Sequence, residues 1–90
     1  LIGGITMNLE KRIEAAYNVN IHNLELDIAV LRNHIGKFKN DDCMDLKFAI
    51  AEKYGRIMAY QGILNTEYHK DLHFDFDVLG KIREAEQEVN

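Results

Sequence analysis

Ninety residues with a mass of 10.4 kDa supply one small hydrophobic core and exclude a two-domain enzyme. Hydrophobic residues make up 47% and charged residues 29%, so neither a disordered tail nor a membrane protein is the first reading. The formal charge of -4 is uneven, with five Lys/Arg against four Asp/Glu in residues 1–40 and six against eleven in 41–90. No dense basic stripe is left for nucleic acid.

Proline and tryptophan are absent and only six glycines occur, a composition that favours helices over a turn-rich sheet protein. One cysteine, Cys43, cannot close an internal disulfide, which points to a reducing compartment. No apolar run approaches the roughly 18 residues needed to span a bilayer, and the N-terminus lacks the basic-then-apolar build of a signal peptide. The expected setting is soluble and cytoplasmic.

Residues 1–6 contain a Gly-Gly break and no charge, whereas Met7 resembles a start; they read as a flexible N-terminal extension or a cloning remnant. A single helical domain is expected over 7–90. From Leu9 to Phe38 the apolar positions are 9, 13, 17, 21, 24, 28, 31, 35 and 38, and from Ile21 onward the spacing alternates 3 and 4. The earlier steps of four predict either a drifting seam or a helix break near Asn18-Val19-Asn20, with Asn20 as an N-cap. Unbroken, residues 8–39 would make a helix of about 48 Å. Val19, Leu26 and Val30 lie nearly opposite the main seam, so this helix is apolar on two sides and must be covered twice.

Lys39-Asn40-Asp41-Asp42 reads as the turn of a helical hairpin, with Asp41 or Asp42 capping the next helix. That second helix runs from about Cys43 to Tyr68 with a seam at Leu46, Ile50, Tyr54, Ile57, Gln61, Leu64 and Tyr68. On another face Ala51, Gly55 and Ala59 recur every four residues, with Gly62 beside them. Small residues there fit either a tight corner of the internal core or a subunit contact.

Residues 71–78 alternate polar and apolar, the period of a half-buried strand, but the chain offers no partner strand. An extended or irregular linker is expected, ending at Asp75 or Asp77 as the cap of a last helix that carries Val78, Leu79, Ile82, Ala85 and Val89. The fold class is therefore all-α: a long antiparallel helical hairpin plus a shorter third helix, assembled into a homo-oligomeric helical bundle.

Three sets of residues carry the functional expectations. Surplus apolar and small residues, Val19, Leu26, Val30, Ala51, Gly55, Ala59 and Gly62, point to a self-associating interaction protein that binds itself and another protein. Arg32 and Lys39 beside the seam, with Tyr17 to stack on a base, suggest instead an anionic small ligand held between subunits. Small helical phage proteins that sequester cyclic nucleotides are similar in general format, and small acidic helical proteins occur in phage, plasmid and toxin-immunity settings. His69 and His73, four residues apart, would aim two imidazoles at one metal ion if the segment were helical. Phosphate loops, nucleophile elbows and Cys-x-x-Cys pairs are absent, so neither catalysis nor a cofactor is expected.

Overall fold

A computed structural model of the chain describes residues 8–37 and 42–89. Every element among them is a helix: α1 (Leu9–Lys37), α2 (Met44–Glu67) and α3 (Val78–Val89). None of these helices is long and apolar enough to cross a membrane. The third-helix hairpin expected from the apolar spacing is the observed architecture, with α1 against α2 as the main contact and α3 packed more on α1 than on α2.

Asn8 starts α1. Its Oδ1 accepts the Lys11 N–H at 2.9 Å, which satisfies one of the donors orphaned at a helix start. The helix then runs unbroken through Asn18-Val19-Asn20, so of the two alternatives the spacing left open, a drifting seam and a break, the break does not occur. Asn20 is not a cap: its Nδ2 donates to the Ala16 carbonyl 2.7 Å away, one turn back, so the side chain bonds the helix it sits in.

Phe38, the last position of the expected seam, and Lys39, Asn40 and Asp41 of the expected turn lie outside the described residues. On its far side Asp42 Oδ1 accepts the Met44 N–H at 3.2 Å. Cys43 enters α2 in the left-handed region, φ 56°, with its side chain buried and without a disulfide. Beyond α2, Tyr68 N–H and Lys70 N–H both donate to the Leu64 carbonyl, and His69 at φ 55° turns the chain out of the helix. Residues 68–77 are not helical, and Asp77 then caps α3 by accepting the Gly80 N–H at 2.9 Å. Of the two aspartates expected as caps, Asp77 is the one that serves.

The core follows from the periodicities. Tyr17, Leu24, Ile28, Leu31 and Ile35 of α1 meet Ile50, Ile57 and Leu64 of α2, and Leu24, Leu31, Ile50, Ile57 and Leu64 are fully buried. Each such side chain contributes about 1.5–3 kcal/mol by leaving water. Register is set by two polar pairs: Tyr17 OH donates to Gln61 Oε1 at 2.9 Å, and Lys53 Nζ meets Asp27 Oδ2 at 2.5 Å. Both pairs are met only if the helices run antiparallel.

The resulting body is long and thin, 57 × 24 × 15 Å, with a radius of gyration of 16.4 Å. A compact chain of ninety residues would reach about 12 Å. So slender a body encloses one seam and leaves the outer faces of both long helices outside it.

Candidate interaction surface

The residues singled out for interaction divide between α1 and α2, and the structure puts all of them on the outside. Val19, Leu26 and Val30 of α1 are 55%, 51% and 50% exposed. At 100° per residue they stand about 150° from the buried seam of the same helix. Ala51, Gly55, Ala59 and Gly62 of α2 are likewise exposed. A Cβ placed on Gly55 or Gly62 would meet nothing within 4 Å, so no part of the chain presses against these glycines. The alternative that the small residues fit a tight corner of the internal core is thereby overturned.

The outer face of α2 also bears large apolar residues that the sequence reading passed over. Phe48 is 63% exposed, with Met58 and Ile63 exposed further along. The signal of Phe48 and Met58 was present: Phe48, Ala51, Gly55, Met58 and Gly62 follow one another at 3, 4, 3, 4, a second seam on the helix that already carries the core seam, from which Ile63 stands about 100° away. Leu79 of α3 extends the same surface. It borders an open hollow of about 530 Å³ lined by Ala51, Tyr54, Phe76, Val78 and the carboxylates of Asp75 and Asp77. Of the apolar residues expected on the last helix, Val78 and Ala85 are buried, Ile82 is half-buried, Leu79 is outside, and the Val89 side chain lies outside the described residues.

Between these faces and the core runs the extended segment. Leu72, Phe74 and Phe76 turn inward while Asp71, His73, Asp75 and Asp77 turn to solvent, as the alternation in the sequence implies. Its backbone finds partners in side chains rather than in a strand. Asn65 accepts the Leu72 N–H through Oδ1 and donates Nδ2 to the Leu72 carbonyl, each at 2.9 Å. Gln61 Oε1 accepts the Phe74 N–H at 2.6 Å in addition to the Tyr17 hydroxyl. Burial raises the Tyr17 pKa and keeps its hydroxyl a donor.

Lys70 fastens the start of the segment to α1, 2.8 Å from Glu10 Oε2 and 3.5 Å from Glu14 Oε2. The hydrogen bond from Lys70 lowers the Glu10 pKa, and the same bond raises that of Lys70.

The ligand and metal residues are not assembled. Tyr17 is 6% exposed and its hydroxyl is engaged, so its ring has no face to offer a base. Arg32 lies fifteen residues further along α1, about 22 Å away, and Lys39 is outside the described residues. His69 sits in a left-handed turn and His73 in the extended segment, so the helical geometry that would align two imidazoles does not exist. The His73 ring nitrogen Nε2 lies 2.6 Å from Asp71 Oδ1. Among the described residues no group of three or more His, Cys, Asp or Glu is placed to hold a metal ion.

No protein-family model matches the chain, and no curated protein and no solved structure matches it either.

Proposed function

We propose that the chain is a non-enzymatic helical interaction protein that self-associates and acts by binding a partner protein. The observation that carries the reading is the pair of uncovered apolar faces, Val19, Leu26 and Val30 on α1 and Phe48, Met58 and Ile63 on α2. Scattered exposed apolar residues are ordinary on a monomer, but here they recur on one side of each long helix and opposite its core seam. Burying such faces against another molecule removes them from water at about 25 cal/mol per Å².

Light scattering on the eluting protein should give a mass above 10.4 kDa that falls on dilution. Leu26→Lys should weaken any association that uses the α1 face while leaving helicity intact, because Leu26 is half-exposed and outside the core. A monomer at every concentration would count against the proposal.

A further inference from the structure

We infer that residues 71–75 form an open strand edge that takes an extended, basic segment of a partner protein as its antiparallel neighbour. The inference names a site and a partner chemistry for the protein-binding half of the reading above, and the site lies apart from the two uncovered helix faces.

Residues 71–75 have every property of a strand except a second strand. Their side chains alternate between half-buried Leu72 and Phe74 and exposed Asp71, His73 and Asp75. The backbone hydrogen bonds alternate in the same way. Leu72 N–H and carbonyl go to Asn65 and Phe74 N–H goes to Gln61, so both residues turn their backbone toward α2. In an extended chain the intervening residues turn theirs to the opposite edge. Among the described residues no hydrogen bond engages the backbone of Asp71, His73 or Asp75. Buried backbone groups are rarely left unpaired, so this edge stands in water and presents the donors and acceptors to which another strand adds.

Charge selects the occupant. Asp71, Asp75 and Asp77 lie along the exposed side of the segment, and the one histidine among them, His73, is already 2.6 Å from Asp71. Among the described residues neither Asp75 nor Asp77 has an ion-pair partner, while Lys70 is held by Glu10 and Glu14. Like charges directly opposite one another destabilise a strand pair. A second copy would meet this penalty. A two-fold axis at His73 sets Asp71 opposite the other copy's Asp75, an axis at Phe74 sets it opposite Asp77, and an axis at Asp75 opposes that residue to itself. A segment that alternates basic and apolar residues brings cations to the carboxylates instead, and its apolar side chains fall on the side of Leu72 and Phe74.

The test uses the peptide acetyl-Lys-Val-Lys-Val-Lys-Val-Lys-amide, fluorescently labelled and titrated with the full chain. It should bind at least about tenfold more tightly than the same peptide with Glu at every Lys position. In an antiparallel pair the residue opposite His73 shares its face and exchanges backbone bonds with it, so N-methylation of the lysine amides should abolish binding and N-methylation of the valine amides should not. Hydrogen exchange should show the His73 and Asp75 amides gaining protection when the peptide binds. His73→Pro removes a donor that the chain itself does not use and should weaken binding about tenfold with helicity retained. Asp75→Lys, at an exposed position, should weaken it by about as much. Equal binding of the Glu peptide or of the lysine-methylated peptide, or no binding at about 1 mM protein, overturns this inference and leaves self-association standing. A chain that stays monomeric yet binds the peptide overturns self-association alone.

Discussion

The two sides of α2 are built from the same periodicity and meet opposite fates. On the inner side Ile50, Ile57 and Leu64 recur every seven residues and are fully buried. On the outer side Phe48, Ala51, Gly55, Met58 and Gly62 keep a comparable spacing in the open. Hydrophobic patterning identifies which residues seek cover but not whether the cover lies in the same chain. The two sides differ in make-up: branched side chains fill the internal seam, whereas the outer face mixes the small Ala51, Gly55 and Gly62 with the exposed Phe48 and Met58.

Substitutions on the inner side should have the largest effect. Ile57→Ala removes a fully buried side chain and should cost about 2–5 kcal/mol in denaturant unfolding. A cost below about 1 kcal/mol would mean that the seam is looser than its burial implies.

The clamp on the extended segment should come next. Asn65→Ala leaves the Leu72 N–H and carbonyl without the side chain that pairs with both, so a loss of about 1–3 kcal/mol is expected. Hydrogen exchange should show the Leu72 and Phe74 amides losing protection before the α1–α2 core does.

The outer side should respond in the reverse direction. Gly62→Ala adds a methyl group to open space in a helix interior and should stabilise a monomeric chain by about 1 kcal/mol. Measured at a dilution where association is absent, a loss of stability would show that something within the chain already covers this face.

The smallest effect is electrostatic. The Glu10 pKa is lowered, chiefly by the hydrogen bond from Lys70, so its contribution is present above the ordinary glutamate pKa and is lost as pH falls through the lower folded value. The Lys70 pKa is raised, so its contribution is present below the ordinary lysine pKa and is lost as pH rises through the higher folded value. Glu10→Gln should therefore flatten the acid limb of a stability–pH profile without altering stability between pH extremes by more than a surface ion pair does. An unchanged acid limb would show that the Lys70 contact contributes nothing.

The helical hairpin was legible in the sequence because the 3 and 4 spacing of Leu24, Ile28, Leu31 and Ile35 admits no other regular structure. The cap of α3 was also legible, since Asp77 immediately precedes an apolar helical pattern. Asn20 misled because the side chain that caps a helix start can equally bond the preceding turn, and local sequence does not separate the two. His69 and His73 misled because their spacing has meaning only on a helix, and α2 ends before either.

The clamp formed by Gln61 and Asn65 left little trace. It joins residues 7 and 13 positions apart through side-chain amides, which no hydrophobic period records. The one hint was Gln61, a polar residue on an otherwise apolar seam.

The central claim is that the outer faces are covered by another molecule, and the unmodified chain can answer for self-association directly. Sedimentation equilibrium between about 1 and 100 μM should yield a mass that rises with concentration from 10.4 kDa towards an integral multiple of it. A constant mass of 10.4 kDa across that range would contradict the account.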